Sequence, residues 1–147
     1  MDREPACIFC KIVDGEAEAS IAYRDELVTA FMDMHPVTAG HTLVVPNDHS
    51  SGVDGVEERV GGRIFEIARR IAVSFANAGV RAEGANFFLA NGAVAGQTVF
   101  HCHLHVIPRY GGDGFGFRAG VFGRGRPKRS ELDDQAERLR ETLGARR

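Results

Sequence analysis

Three histidines alternate with apolar residues in the segment Val99-Phe100-His101-Cys102-His103-Leu104-His105-Val106-Ile107. Because successive side chains of a β-strand point to opposite faces, a strand here places the three imidazoles on one face. The residues between them, Cys102, Leu104 and Val106, share the other face and are expected to pack on the core. One histidine on a sheet is usually structural, but three at a spacing of two are hard to explain by packing. The segment therefore predicts a strand whose three histidines have a catalytic or ligand-binding function.

Two kinds of chemistry suit such a row. Neutral imidazole is a common metal ligand, so two histidines on one face of a strand can converge on a single ion. Alternatively, one neutral imidazole is a nucleophile whose neighbours fix its tautomer and handle protons, and its nitrogen can attack phosphorus. The spacing alone leaves both interpretations open.

The rest of the sequence predicts elements that surround this strand. Short runs rich in β-branched and aromatic residues predict strands over 21–24, 28–32, 42–45, 86–90 and 99–107. Between the third and fourth, apolar residues recur at helical steps at Val56, Val60, Ile64, Ile67, Ala68, Ile71 and Phe75. Asp54 with Glu57 resembles a capping box at the start of this helix, and Gly79 suits its end.

A second helix is predicted over about 130–143, with a start signal at Ser130 and a stripe of Leu132, Ala136, Leu139 and Leu143. Between Gly111 and Gly125 the chain has seven glycines, which indicates a flexible loop. Arg118, Arg124, Arg126, Lys128 and Arg129 make this stretch locally basic, as expected of a solvated surface. Together the elements indicate an α+β fold with a mostly antiparallel five-stranded sheet, one long helix and a C-terminal helix.

Length and composition place the chain in a broad class. Its 147 residues suit one domain, 1–147, and 44% hydrophobic with 26% charged residues is ordinary for a soluble globular protein. With a net charge of -2, the chain has no overall positive electrostatic field that would attract nucleic acid or an anionic membrane. Met1 to Pro5 has no apolar leader, and runs such as Leu43-Val44-Val45 are too short to span a bilayer. We therefore expect a cytoplasmic protein with neither nucleic acid nor membrane as partner.

The number and spacing of the three cysteines indicate how they are used. An odd number in a reducing compartment argues against a disulfide framework, so metal binding is the better use for the pair Cys7-x-x-Cys10. Two thiolates are half of a tetrahedral zinc site. The remaining Cys102 is expected to be a small core residue.

The histidine row and several other blocks resemble the histidine triad (HIT) superfamily. The row matches its His-x-His-x-His signature. The other matching blocks, in the expected order, are Cys7-Ile8-Phe9-Cys10-Lys11-Ile12, Ala30-Phe31-Met32-Asp33, Gly40-His41-Thr42-Leu43-Val44-Val45-Pro46, Asn91-Gly92 and Pro108-Arg109-Tyr110. The resemblance covers roughly 7–110 and implies a HIT-like fold whose sheet extends across a homodimer.

The resemblance also implies an activity. Family members hydrolyse or transfer nucleoside monophosphates through a covalent nucleotidyl-histidine intermediate, whose nucleophile would be His103. His105 would contact the phosphate and handle protons, and His41 would complete the hydrogen-bond network. Gln97 and Thr98 match positions that contact the phosphate and leaving group, Asn91 matches one near the 5′ phosphate, and Asp33 matches the residue that binds the ribose hydroxyls. The base pocket would be Ile8, Phe9, Ile12, Phe31 and Met34.

A zinc site is implied by similarity to bacterial-type members with Cys-Ile-Phe-Cys at this point. There two later histidines, matching His49 and His101, join Cys7 and Cys10 in a closed structural site. If zinc binds, His101 is a ligand, and the catalytic histidines are His41, His103 and His105. No organic cofactor is implied.

Several functions therefore stand side by side. The first is a hydrolase that cleaves nucleoside 5′-phosphoramidates or related nucleotidyl conjugates, with a purine nucleotide as ligand. The second is a dinucleoside polyphosphate hydrolase with the same nucleophile. A regulatory nucleotide-binding module with incidental turnover and a metalloenzyme that uses all three histidines on one ion are the alternatives of other classes.

Overall fold

The computed structural model describes residues 1–116 and 125–144. The chain divides into two compact units, Met1–Gly114 and Phe115–Arg147. The first unit contains the sheet and every residue predicted above to be functional. Much of the predicted glycine-rich loop, residues 117–124, lies outside the described residues.

The first unit is built on one five-stranded sheet. Its strands are β1 (Ile21–Arg24), β2 (Val28–Met32), β3 (Thr42–Pro46), β4 (Gly84–Phe88) and β5 (Leu104–Arg109). They lie in the order β1-β2-β3-β5-β4, and every neighbouring pair is antiparallel. The predictions of an α+β fold and a mostly antiparallel sheet are confirmed.

The bounds of three strands differ from the prediction: β3 ends one residue later, at Pro46, β4 is shifted by two residues to Gly84–Phe88, and β5 is Leu104–Arg109. β5 begins at Leu104 rather than at Val99, because the preceding chain leaves the sheet and the Cys102 N–H donates to the carbonyl of Ser50 at 2.7 Å. His101 and His103 therefore precede the strand. β4 ends at Phe88, which pairs with His105, so the last two residues of the predicted run to Ala90 have no partner in β5.

Helix α2 (Glu58–Ser74) is the predicted long helix, but its start is different. Asp54 lies in a separate 3-10 turn, Val53–Gly55, and α2 has no side-chain N-cap hydrogen bond, so the predicted capping box is wrong. Beyond Ser74 the chain makes one more turn that ends at Gly79, whose φ of +72° favours glycine.

A short helix, α1 (Ile8–Val13), was not predicted. Cys7 is its N-cap, and the Cys7 sulfur accepts from the Cys10 N–H at 3.4 Å. The six residues of α1 are too few to show a helical period. This helix covers the face of the sheet that carries the histidines.

The sheet is buried on both faces in its centre. On one face, α2 packs Ile64, Ile67, Ala68 and Phe75 against Val28, Ala30, Val44 and Val106. On the other face, α1 packs Phe9, Cys10 and Ile12 against Phe31, Leu43 and Val45. Alternation along the strands explains this division, because Leu43 and Val45 point opposite to Val44.

In the second unit, helix α3 (Arg129–Gly144) confirms the predicted C-terminal helix. Leu132, Leu139 and Leu143 of its apolar stripe are exposed. Among the described residues, no helix has the length and apolar character needed to cross a membrane.

Candidate functional site

The ends of three adjacent strands bring the site together. His41 immediately precedes β3, Asp33 immediately follows β2, and His105 lies in β5 opposite Leu43 of β3. The imidazoles of the row are not on an open polar face: His101 is fully buried and His103 is 6% exposed. The reason is α1, whose Phe9 ring contacts both imidazoles at centroid distances of 5.9 and 5.2 Å.

The tautomer of His103 is set by the backbone. Its Nδ1 lies 2.7 Å from the carbonyl oxygen of His101. Since a carbonyl oxygen only accepts, Nδ1 carries the hydrogen, and in the neutral ring Nε2 holds an unshared electron pair. The ring edge meets His105 at a centroid distance of 5.0 Å. His103 therefore presents a basic nitrogen beside a second imidazole.

His41 and His105 form a directly hydrogen-bonded pair. The backbone N–H of Val37 donates to His41 Nδ1 at 3.0 Å, so His41 carries its hydrogen on Nε2. That group donates to His105 Nδ1 at 2.8 Å, which leaves the hydrogen of neutral His105 on Nε2. Burial lowers the pKa of His41 and lowers the pKa of His105 to about 4, so both rings are neutral near pH 7.

The Asp33 carboxylate faces this pair. Its Oδ2 lies 3.4 Å from His41 Nε2 and 3.9 Å from His105 Nδ1. Its Oδ1 accepts from the backbone N–H of His35 at 2.8 Å. Asp33, His41 and His105 thus form a cluster of one carboxylate and two imidazoles, which we call the Asp33 cluster.

The two cysteines and two histidines predicted to bind a metal also come together. Their four ligand atoms, two thiol sulfurs and two imidazole nitrogens, lie within 4.8 Å of one another in what we call the cysteine cluster: Cys7, Cys10, His49 and His101. His101 Nδ1 is 3.5 Å from Cys7 Sγ and 3.6 Å from Cys10 Sγ, and His49 Nδ1 is 3.4 Å from Cys10 Sγ. A tetrahedral zinc ion requires sulfur–nitrogen distances of about 3.5 Å.

The tautomer of His101 agrees with that use. Its Nε2 lies 2.8 Å from the carbonyl oxygen of Pro46 and must donate to it, so Nδ1 directs its electron pair at the two sulfurs. Burial lowers the pKa of His101 to about 4 and raises the pKa of the Cys10 thiol. The donor set, spacing and tautomer all fit zinc.

Gln97 and Asn91, two of the polar residues predicted near the phosphate, have different hydrogen-bond partners. The Gln97 amide is fully occupied by backbone: Oε1 accepts from the Gly92 N–H at 2.8 Å, and Nε2 donates to the carbonyls of Ser51 and Val99 at 2.6 and 3.0 Å. Asn91 Oδ1 accepts from the Val53 N–H at 3.1 Å. Gln97 therefore shapes the loop before the histidine row.

The five predicted base-pocket residues separate into two groups. Phe9, Ile12 and Phe31 are buried together in the cluster under α1. Ile8 and Met34 are exposed, Met34 to 84%. A groove of about 490 Å³ is lined by Ile8, Thr98, Val99 and Phe100, together with side chains of the cysteine cluster.

Besides the contacts of His103 with the His101 carbonyl and the Phe9 ring, the site has three further contacts that were not predicted: the N–H of Val37, the carbonyl of Pro46, and the ring of Phe88, which lies 5.7 Å from His105. The first two are backbone groups, for which residue type gives no signal. Phe88 was assigned only to a strand.

Most of the chain is similar to known proteins. The family model of the HIT domain matches residues 14–112. An uncharacterized HIT-like protein of Borreliella burgdorferi is 44% identical over 116 residues, which cover 78% of this chain and 83% of that protein.

Solved structures have the same fold. A zinc-bound histidine triad family protein from Mycobacterium smegmatis superposes with a TM-score of 0.73 at 34% identity, over 97% of this chain and 98% of that one. A histidine triad nucleotide-binding protein from Candida albicans superposes with a TM-score of 0.83 at 25% identity, over 97% and 100%. With the histidine row, the antiparallel sheet and these matches, the chain belongs to the HIT domain family.

Proposed function

We propose that this HIT-family protein hydrolyses nucleoside 5′-phosphoramidates or related nucleotidyl conjugates to a nucleoside monophosphate through a covalent intermediate on His103. The observation that carries the proposal is the 2.7 Å contact of His103 Nδ1 with a backbone carbonyl, which places the hydrogen of the neutral ring on Nδ1 and its electron pair on Nε2. The name of the Candida albicans relative, a histidine triad nucleotide-binding protein, supports a nucleotide ligand. A fixed tautomer and a buried ring are what an imidazole nucleophile requires.

The reaction has two steps. His103 Nε2 attacks phosphorus, a nitrogen–phosphorus bond forms, and the bond from phosphorus to the leaving nitrogen breaks with its electron pair on that nitrogen, which takes a proton through water. Water then attacks phosphorus, the bond to His103 breaks, and the water proton returns to solvent. The sum is phosphoramidate plus water giving nucleoside monophosphate plus amine.

The neighbouring residues would bind and orient the substrate. The Nε2–H of His105 is a neutral donor for a phosphate oxygen, and His41 keeps His105 in that tautomer. We assign Thr98 to the leaving group, Asn91 to the 5′ phosphate region and Asp33 to the ribose hydroxyls. Gln97 acts through the loop that it holds, since its amide is already bonded to backbone. We assign the base pocket to Ile8, Phe9, Ile12, Phe31 and Met34, of which Ile8 and Met34 are exposed and the other three lie buried under α1.

The test is release of nucleoside monophosphate from adenosine 5′-phosphoramidate and from a dinucleoside polyphosphate by wild type and His103→Ala. We expect His103→Ala to lose about 10³-fold or more in rate, as removal of a nucleophile does. His35→Ala is the matched control, because His35 is an exposed histidine. Preference for the second substrate would favour the polyphosphate hydrolase. Binding without release by wild type would favour the regulatory module.

We also propose that the cysteine cluster holds a structural zinc ion. Cys7, Cys10, His49 and His101 would supply all four ligands of a tetrahedral site, and such a closed site has no open position for water or substrate. Zinc would tie the start of α1 to the chain before β5. The zinc-bound Mycobacterium smegmatis relative supports this assignment.

A homodimer is the third part of the proposal. Phe65 and Val73 of α2 and Phe87 of the edge strand β4 are exposed apolar side chains, and the Phe65 and Phe87 rings lie 5.9 Å apart. Covering an edge strand with a second copy would bury this surface. Sedimentation of wild type is expected to give a dimer, and Phe65→Glu to give a monomer. A wild-type monomer at high concentration would contradict it.

A further inference from the structure

Asp33 is attached to His41 by the backbone as well as by its side chain. The Asp33 N–H donates to the carbonyl of His41 at 3.0 Å, which continues the β2–β3 ladder beyond Met32 and Thr42. The two residues are therefore neighbours across the strand pair. The Asp33 side chain is 17% exposed and that of His41 is 3% exposed, so little water separates them.

One carboxylate oxygen of Asp33 is already engaged. Oδ1 accepts from the His35 N–H at 2.8 Å, which closes a local turn and restrains the side chain. Oδ2 is thereby directed at His41 Nε2, 3.4 Å away, and at His105 Nδ1, 3.9 Å away. The free oxygen of the carboxylate therefore faces the hydrogen-bonded pair of imidazoles.

A carboxylate at this place affects the tautomers of the pair. Two neutral imidazoles in contact can share their hydrogen in either direction, and the reverse direction would leave His105 Nε2 without a hydrogen for the phosphate. A carboxylate accepts hydrogen bonds and donates none, and Asp33 Oδ2 lies closer to His41 Nε2 (3.4 Å) than to His105 Nδ1 (3.9 Å). Asp33 therefore favours a hydrogen on His41 Nε2. The Val37 N–H favours the same tautomer from the other side of the ring.

We propose that Asp33 is a positioning residue that holds the His41–His105 pair in the tautomer with a hydrogen on Nε2 of each ring. This inference rests on the proposed function and adds to the ribose contact assigned to Asp33. Burial disfavours a positive charge on either ring, His103 adds to that effect at His105, and Asp33 is the group that opposes it at both.

Asp33→Asn separates the two roles of Asp33. Asparagine keeps an oxygen for the His35 N–H, so the local turn is retained, while the charge beside His41 is removed. The substrates are adenosine 5′-phosphoramidate and its 2′,3′-dideoxy counterpart, which has no ribose hydroxyls to bind. On the dideoxy substrate we expect Asp33→Asn to lower kcat by about 10-fold or more with little change in KM. Equal kcat for wild type and variant on that substrate would overturn the proposal.

A second measurement does not depend on turnover. The ¹⁵N chemical shifts of the wild-type histidines report which ring nitrogen carries the hydrogen, and we expect Nε2–H for both His41 and His105. In Asp33→Asn the population of this tautomer should fall, and an unchanged population would overturn the proposal. A hydrogen on Nδ1 of either ring in wild type would also overturn it. If wild type releases no nucleotide, the proposed function fails, and the comparison of the shifts in wild type and Asp33→Asn still decides the role of Asp33.

Discussion

The cysteine cluster and the Asp33 cluster are both built from histidines beside anionic or soft ligand atoms, yet their geometry differs. In the cysteine cluster the closest nitrogen–sulfur contacts are 3.4 to 3.6 Å, the spacing of ligands around a shared ion. In the Asp33 cluster two nitrogens are 2.8 Å apart, with a hydrogen between them. The same side chain thus has a geometry that suits metal coordination in one place and hydrogen bonding in the other.

The two clusters differ because different backbone groups contact their imidazoles. Whether a carbonyl or an N–H group contacts one ring nitrogen decides whether the other nitrogen carries an electron pair or a hydrogen. A carbonyl oxygen meets His101 Nε2 and His103 Nδ1, so each ring directs an electron pair from its other nitrogen. An N–H group meets His41 Nδ1, so that ring directs a hydrogen instead. Residue type alone does not distinguish these histidines.

The largest expected effect is a loss of activity when the Asp33 cluster, rather than the cysteine cluster, loses a histidine. His105→Ala should lower kcat on adenosine 5′-phosphoramidate by about 10²- to 10⁴-fold, since a positioned donor is removed, while bound metal stays unchanged. His101→Ala should lose the metal. Rates and elemental analysis of both variants check this. Loss of metal from His105→Ala would mean that the two clusters are not independent.

The next effect concerns stability. Cys7→Ser/Cys10→Ser should lose a stoichiometric zinc ion and about 3 kcal/mol or more of unfolding free energy, because metal-binding energy is folding energy where no site exists in the unfolded chain. Cys102→Ser is the control: Cys102 is also buried but lies apart from the cluster. Elemental analysis and denaturant titration measure both. Unchanged metal content in the double variant would refute the ligand assignment.

Chelation extends the same prediction to the metalloenzyme alternative. A chelator that strips the metal should lower stability, and the protein that remains folded should keep its activity. Activity that disappears on chelation while the fold stays intact would support a catalytic metal on the histidine row.

A smaller effect is expected from pH. The pKa of His105 is about 4 in the folded protein, below its ordinary value of 6.5, so the unfolded chain binds the proton more readily. Stability from His105 is therefore complete above about pH 6.5 and is lost as the pH falls toward 4. Between pH 7.5 and 5 it should contribute about 2 kcal/mol to the loss of unfolding free energy. His105→Asn should lose correspondingly less, and an equal loss would contradict the assignment.

Much of this arrangement could be predicted from the sequence. β1 and β2 have the predicted bounds, because β-branched and aromatic residues between turn residues mark them clearly. The ligands of the cysteine cluster were named from the resemblance and lie together. The alternation at Leu104 and Val106 also predicted the face that packs on α2.

The remainder depended on contacts that residue type does not encode. Helix α1 is too short for periodicity, so the burial of His101 and His103 beneath Phe9 was missed. The start of β5 was wrong because Cys102 bonds to the backbone of Ser50, far away in sequence. Tautomers depend on backbone carbonyls and N–H groups, which every residue except proline offers alike.

The most direct test of the central claim is to trap the intermediate. Wild type mixed rapidly with adenosine 5′-phosphoramidate and held at neutral to alkaline pH is examined by intact and peptide mass spectrometry. We expect an added adenylyl group on the peptide that contains His103, attached to that residue and absent from His103→Ala. An adduct on another residue, or full turnover with no adduct in single-turnover samples, would contradict it.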